Sequence, residues 1–329
     1  MPKTDNILLM RVIDILRNSE SPYPSLEIVP PLNGIRKDQL FDIVEQFMSF
    51  DLKYINVTYH RDEYEYREHP DGTYTRHIVR SRISPVAVCA TLMAKYPVNM
   101  VPHVICAGQT SDEIDSLLYD LHFMGIDNVM TLRGDSLTGE KRFSPVRGGY
   151  RYASELVSAV KRFNEKTGSD FSIGVGGYPE KHFEAANIET DIANLKKKVD
   201  AGADYIITQM FFDNEAFYRF EKRCRDAGIT VPIIPGLKPL STLRHIALLP
   251  ESFSIDIPLE LTTAVQDAVK GYDLSFSRDM ARANEIVYEI GTEWCITQCK
   301  DLLAHGVPAV HFYTMGKVRN IVKVLQSCF

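Results

Sequence analysis

The sequence has one tryptophan, no surplus of basic residues and no unbroken apolar stretch of about 18 residues. Lysine and arginine number 37 against 43 aspartate and glutamate, for a net charge of −6. No basic excess is therefore available to neutralise a nucleic-acid backbone, and no nucleic-acid partner is expected. Without a long apolar run no membrane span is expected. Low-complexity tracts and sequence repeats are missing, and 45% of the residues are hydrophobic, which excludes a disordered chain. The six cysteines form no C-x-x-C pair. Reduced, buried thiols in a cytoplasmic protein are the reading; Cys295 and Cys299, one turn apart beside Trp294, read as packing residues before metal or redox ones. Met1 to Ser19 is not a signal peptide. Ile7, Leu8, Val12, Ile13 and Leu16 recur at helical spacing between Arg11, Asp14 and Arg17, predicting an amphipathic helix on the body of the protein.

Several motifs are also missing. There is no G-x-S-x-G elbow, no P-loop and no H-E-x-x-H. His60, His69 and His77 fall in or beside a run dense in Arg, Asp, Glu and Tyr, which reads as a solvated loop, and no metal is expected.

What the chain does have is alternation. Short β-branched runs predict strands at Ser25–Pro30, Lys53–Tyr59, Met100–Cys106, Asn128–Gly134, Phe171–Tyr178, Tyr205–Phe212, Val231–Gly236 and Ala309–Thr314. Amphipathic patterns between them predict helices at Asp38–Phe50, Ser84–Lys95, Ser111–Met124, Ala153–Asn164, Glu189–Ala201, Asn214–Ala227 and Thr242–Leu249, with a last at Lys317–Cys328. Ser111-Asp112-Glu113 marks a helix entry, and Gly125, Gly202 and Gly228 mark exits. Eight strands, each followed by a helix, predict a (β/α)8 TIM barrel, a single domain over residues 1–329 with an N-terminal helix. Extra helices, Leu259–Val269 and Arg278–Ala304, precede the last strand. A doubly wound sheet is disfavoured because the first turn, Val29 to Gly34, has no G-x-G-x-x-G.

In a barrel the chemistry gathers at the C-terminal ends of the strands. Those ends supply Glu27, Thr58, Tyr59, His103, Arg133, Asp135, Tyr178, Glu180, Gln209, Tyr313 and Thr314. A carboxylate inside Leu26-Glu27-Ile28-Val29 is costly to bury unless it has a partner or a duty, so Glu27 is a proton-handling candidate. Arg133-Gly134-Asp135 offers a bidentate donor beside an acid, suited to a charged or heteroaromatic ligand. Three glycines in Ile173–Tyr178 allow a ligand close to the backbone. On the following helix Asp191, Asn194 and Lys198 share a narrow arc, either a solvated face or a ribose or pyrophosphate site.

Taken in order, Glu27 with Pro30-Pro31, Val57-Thr58-Tyr59, Pro102-His103, Leu132-Arg133-Gly134-Asp135, Tyr178-Pro179-Glu180 with His182, Asn194 to Ala203, Ile207-Thr208-Gln209, Ile234-Pro235-Gly236 and His311-Phe312-Tyr313-Thr314 resemble methylenetetrahydrofolate reductases over nearly the whole chain. The resemblance is to the single-domain bacterial type. It implies an FAD enzyme of one-carbon metabolism and methionine biosynthesis, passing a hydride from NADH or NADPH through the flavin to 5,10-methylenetetrahydrofolate, to give 5-methyltetrahydrofolate. Carried over, Glu27 is the general acid for opening the folate imidazolidine ring, and Asp135 lies near flavin and pterin, favouring hydride release. FAD contacts fall on Thr58, His103, Arg133, Gly134, Asp135, Tyr152, Ala153, Tyr178, His182, Asp191, Asn194, Lys197 and Lys198. Substrate contacts fall on Glu27, Thr58, Tyr59, Asp135 and Gln209. Leu249 stands where other members place an aromatic, and Lys317 where some have arginine, so both are implied in substrate binding. The loops at His60–Thr75 and Ser136–Arg151 look longer than in compact members, and a homo-oligomer is implied. Competing readings are a proline dehydrogenase-like FAD barrel, which has no use for Glu27 as a ring-opening acid, and a folate- or nucleotide-binding protein without redox turnover. A flavin-free barrel aldolase or hydrolase is disfavoured by the lack of a metal set or activated lysine.

Overall fold

The computed structural model describes residues 10–136, 143–316 and 318–329. Eight parallel strands close into a barrel. They are β1 (Tyr23–Ile28), β2 (Tyr54–Val57), β5 (Asn99–Ile105), β6 (Asn128–Leu132), β7 (Ser172–Gly177), β8 (Tyr205–Met210), β9 (Ile233–Leu237) and β10 (Ala309–Tyr313). Their order around the ring is β1-β10-β9-β8-β7-β6-β5-β2, so the first and last strands close it, with Tyr23 opposite Ala309 and Glu27 opposite Tyr313. The predicted TIM barrel is the observed fold.

Period-two alternation sorts the strand residues into two layers. Leu26, Ile28, Ile55, Val57, Val104, Ile173, Val175, Ile206 and Phe312 face outward and pack against the helices. The partners include Leu40 and Val44 of α2 (Lys37–Glu45), Val88 and Leu92 of α3 (Pro85–Met93), Ile114 and Leu118 of α4 (Ser111–Phe123), and Leu156 and Val160 of α5 (Ala153–Thr167). Further round are Ile192 and Leu195 of α6 (Ile188–Asp200) and Phe217 and Phe220 of α7 (Asn214–Asp226). Fully burying one such aliphatic or aromatic side chain contributes about 1.5–3 kcal/mol, so this shell is the main source of stability. Thr110, one residue before the predicted entry signal, caps α4 in a reciprocal box with Glu113. At the helix exits Gly125 and Gly228 take φ of 73° and 76°, a conformation that glycine reaches without strain.

The inward layer begins with a floor. Tyr23, Tyr54, Val101, Met130, Tyr205, Ile207 and Ile234 fill the N-terminal end of the barrel, and Val12, Ile15 and Leu16 of α1 (Val12–Asn18) pack on them. The N-terminal helix therefore plugs the barrel floor. Ile7 and Leu8 of the predicted helix lie outside the described residues. The α1 N-terminus has no side-chain cap of its own. Its backbone N–H groups are received instead by the first residues of successive barrel strands: Met10 by Asn99 Oδ1 (2.7 Å), Val12 by Asn128 Oδ1 (2.7 Å) and Ile13 by Ser172 Oγ (3.2 Å).

Two further features frame the opposite, C-terminal end. The segment read as a solvated loop at His60–Thr75 is largely an antiparallel ribbon, β3 (Glu63–Glu68) paired with β4 (Tyr74–Val79). Its turn is fixed by Asp71 Oδ1, which accepts from the Thr73 N–H (3.0 Å) and hydroxyl (2.6 Å). Most of its residues are exposed, so no apolar alternation announced it; a Tyr64 ring under Arg76 (4.4 Å) is one of the contacts holding it. The base of the ribbon is tied to the loop after β1, through a Leu32–Arg82 bridge, Ile83 N–H to Pro31 O (3.1 Å) and Arg82 Nη1 to Pro30 O (2.8 Å). Between β9 and β10 the chain adds α8 (His245–Phe253), α9 (Leu259–Val269) and α10 (Ser277–His305), which build a second apolar cluster with Met210, Phe212 and Leu240. The final helix, α11 (Arg319–Cys328), packs on α10, and Cys328 Sγ lies 3.8 Å from Ile296 O. All six cysteines are free thiols, five of them buried. No helix among the described residues is long and apolar enough to cross a membrane.

Because Asn128 both receives the Val12 N–H and donates to Met10 O (3.2 Å), Asn128→Ala leaves the α1 entry uncapped. Urea unfolding is expected to show a loss of about 1–2 kcal/mol with an unchanged m-value; a midpoint equal to wild type would mean that the plug does not depend on this cap.

Candidate active site

Glu27 ends the inward face of β1, and its main-chain carbonyl accepts from both the N–H (3.2 Å) and the hydroxyl (2.8 Å) of Thr314, just past β10. Barrel closure thus fixes the backbone beneath its carboxyl. The carboxyl is mostly buried and lies 3.5 Å from His103 Nε2. Burial pushes the Glu27 carboxyl up to about 8 and the His103 imidazole down to about 3. The close pair is therefore neutral with neutral at pH 7: a carboxylic acid beside an uncharged ring, not an ion pair. An acid that keeps its proton at neutral pH is what general-acid chemistry needs.

Beside it, β2 supplies Asn56, and Thr58 follows directly after the strand. Asn56 Nδ2 lies 3.5 Å from His103 Nε2, while Asn56 Oδ1 and Thr58 Oγ1 are buried with no hydrogen-bond partner among the described residues. Tyr59 accepts from Gln109 Nε2 (3.0 Å), and burial raises its phenol. Deeper in the barrel His311 Nδ1 meets Ser25 Oγ at 2.9 Å. Sequence reasoning missed Asn56 and the buried Ser25–His311 pair. The available signal was a polar side chain inside an apolar run, Tyr-Ile-Asn-Val in β2 and Val-His-Phe in β10.

On the β6 side Gly134 has φ of 80°, and a Cβ there would sit 2.8 Å from the Ala107 Cβ, so the turn demands glycine. Arg133 pairs with Glu184 and lies over the Phe143 ring at 5.0 Å. Asp135 is exposed at the rim. Across from it, Lys198 Nζ donates to Gly176 O (2.7 Å), and burial brings the ammonium down to about 8. Asp191 accepts the His182 N–H (3.0 Å), and burial raises its carboxyl. The His182 ring stacks on Phe183 and meets Tyr178 edge-on, both at 4.7 Å, and burial, then Arg133, lowers it to about 4. Of the three β7 glycines Gly176 is the least crowded, since a Cβ there would make ordinary contact with Leu132 at 3.4 Å. A Cβ on Gly174 would strike the Tyr205 ring at 2.6 Å, and one on Gly177 would strike Ile206 at 2.8 Å, so those two serve packing.

The predicted set thus converges in part. Glu27, Thr58, His103, Arg133, Gly134, Asp135, Tyr178, His182, Asp191 and Lys198 lie at or just past the C-terminal ends of neighbouring strands or on the facing helix. Asn194 is exposed and bonds Lys197 (3.1 Å), so the helix arc divides: Asp191 and Lys198 turn inward and Asn194 outward. Tyr152, half-exposed, caps α5, and Ala153 is its first residue. Gln209 sits at an irregularity in β8 and accepts the adjacent Met210 N–H (2.9 Å). Leu249 departs from expectation. It is fully buried in the apolar cluster of α8–α10 and presents no surface at the barrel mouth, because the helices before β10 enclose it. Lys317 and part of the Ser136–Arg151 loop lie outside the described residues.

The methylenetetrahydrofolate reductase family model matches residues 11–328. The chain belongs to the methylenetetrahydrofolate reductase family. It is 31% identical to the 5,10-methylenetetrahydrofolate reductase of Escherichia coli, across 89% of this chain and 86% of that protein. It is also 31% identical to methylenetetrahydrofolate reductase (NADH) 1 of Arabidopsis thaliana, across 97% of this chain but 50% of that protein. This chain therefore spans about half the length of such plant relatives. Among solved structures, an uncharacterized Clostridium thermocellum protein that binds two copies of 5-methyl-5,6,7,8-tetrahydrofolic acid superposes with a TM-score of 0.54. It is 16% identical and covers 96% of this chain and 97% of its own, a likeness of fold.

In this family member the Glu27 carboxyl titrates above its unfolded value. Its contribution to stability is complete below the unfolded pKa of about 4.5 and is lost as pH rises toward about 8. Glu27→Gln removes that loss. The variant is expected to gain on wild type steadily between pH 5 and pH 8.5 in urea unfolding; a constant difference across that range would mean that Glu27 titrates normally.

Proposed function

We propose that this chain reduces 5,10-methylenetetrahydrofolate to 5-methyltetrahydrofolate with NADH or NADPH, using FAD held at the barrel mouth. Family membership supports the reaction class, and the protonated Glu27 at the base of the mouth is the observation that carries the assignment of its acid. A structural neighbour that binds 5-methyltetrahydrofolate supports the folate as ligand.

The residues present fit a flavin dinucleotide. Thr58 Oγ1 is buried and unpartnered, and Lys198 and Arg133 place positive charge on the same rim. In this reading Lys198 and Arg133 face the pyrophosphate, while Asp191 and His182 hold the nucleotide end; Asn194 and Lys197, which turn outward, take no part. Thr58, His103, Gly134, Tyr178, Tyr152 and Ala153 line the remainder. Bound there, FAD supplies two-electron chemistry to both substrates.

The protein's own work is proton placement and orientation. Opening the imidazolidine ring requires that the departing nitrogen be protonated, and Glu27 holds a proton at neutral pH for that purpose. His103, whose proton affinity burial lowers far below that of Glu27, does not compete for it as a base. After transfer the carboxylate is left in a mostly buried position, which favours its reprotonation before the next turnover. Asp135 stands exposed at the rim beside the pterin, and Gln209 and Tyr59 offer hydrogen bonds to the substrates. The overall step consumes one hydride and one proton, the latter through Glu27.

The visible spectrum of the purified protein tests this reading. Flavin absorbance should bleach with NADH or NADPH and return on addition of 5,10-methylenetetrahydrofolate; a colourless protein, or no return of colour, would sink it. In Glu27→Gln the bleaching should persist, while the return of colour slows by about 10²–10⁴-fold. Equal rates in both half-reactions would place the acid elsewhere.

A further inference from the structure

The rim of the barrel carries a second cationic position, separate from the one assigned above to the pyrophosphate. Arg61 follows Thr58, Tyr59 and His60 after β2, and its guanidinium reaches across to the loops after β5 and β6. It lies against Gly108, whose missing Cβ would stand 3.5 Å from Nε. Its Nη1 makes one long contact, 3.5 Å, with the Asp135 carbonyl. Its Nε is sealed from water and has no acceptor among the described residues.

The neighbouring cations are all occupied. Arg133 pairs with Glu184, Arg80 with Asp62 (3.1 Å), and Arg82 donates to Pro30 O. Among the described residues no carboxylate comes within ion-pair distance of Arg61, although Asp62 is its chain neighbour and Asp135 its contact. Leaving a buried charged donor unmet is costly, and a planar guanidinium answers most strongly to a bidentate oxyanion. Beside it Gln109 Oε1 and Thr58 Oγ1 are also buried without partners, so unmet polar atoms cluster on the β2–β5 side of the mouth.

We infer that Arg61 binds the anionic end of a substrate, a carboxylate or a phosphate, on the β2–β5 side of the barrel mouth. The inference rests on the proposed function, which places a folate with its glutamate carboxylates and a dinucleotide with its phosphates at this mouth. Arg61 is then a determinant of substrate specificity and takes no part in the proton or hydride steps.

The test compares wild-type holoenzyme with Arg61→Gln and Arg61→Lys. Calorimetry with 5-methyltetrahydrofolate, and with its pteroate analogue prepared as the primary amide and so without any carboxylate, reads the carboxylate arm. The KM for NADH and for NADPH in flavin reduction reads the phosphate arm. Arg61→Gln should weaken one ligand by about 10- to 100-fold, a change expected for loss of a charge-assisted contact. If the carboxylate is the partner, 5-methyltetrahydrofolate weakens and the pteroate analogue does not; if the phosphate is, only the dinucleotide KM rises. Arg61→Lys keeps the charge without the fork, should recover part of the loss, and serves if the glutamine variant fails to fold. Folate affinity and both KM values within about 3-fold of wild type would overturn the inference alone. A wild-type protein that neither binds the folate nor is reduced by NADH or NADPH would overturn the proposed function and Arg61's role with it.

Discussion

The pairing of β1 with β10 is the interaction on which the rest of the molecule depends. It joins segments nearly the full chain apart, with Tyr23 to Glu27 set against Ala309 to Tyr313, and it turns an open sheet into a ring without edges. Closure dictates which faces are inside. It seats Thr314 under the Glu27 carbonyl and brings His311 onto Ser25. It also creates a floor that must be filled, and α1 fills it, with its N–H groups satisfied by the strands that it covers. An unclosed sheet would leave Glu27 wet, with an ordinary carboxyl.

From that closure follows a division of electrostatic labour at the mouth. On the β1–β2–β5 side burial suppresses charge, so Glu27 and His103 face one another as neutral groups. On the β6–β7 side charge is kept, through Arg133 with Glu184 and Lys198 near Asp191. Burial weakens even these: Lys198 falls toward neutrality, and its ammonium is held by a carbonyl and not by a carboxylate. An anionic group at that rim would find the Lys198 ammonium with no carboxylate to displace, and would compete with Glu184 for Arg133. The two sides therefore suit proton transfer and cofactor anchoring respectively.

Legibility of the fold in the sequence varied with burial. The eight barrel strands carry near-continuous apolar runs because both of their faces are covered, and such runs are conspicuous. The β3–β4 ribbon was invisible for the opposite reason: Glu-Tyr-Glu-Tyr-Arg-Glu has no buried face to impose a pattern. Glu27 stood out as a carboxyl in an apolar strand. Asn56 and His311 did not, since a single amide or imidazole in such a run is common, and only the assembled barrel sets Asn56 against His103 and His311 against Ser25. Gly174 and Gly177 looked like openings for a ligand, yet Tyr205 and Phe220 occupy the space from the inside and the outside of the barrel.

The sequence by itself determined the number and order of the barrel strands, the family, and the chemical types waiting at the strand ends. These depend on residue type and spacing along the chain, which hydrophobic periodicity makes local. Tertiary structure alone decided the protonation of Glu27 and the inward turn of Lys198. It likewise decided the enclosure of Leu249 and the unmet Nε of Arg61. Each is a matter of which distant segment supplies or withholds solvent and partners, and desolvation is a property of the assembled barrel and not of any one strand.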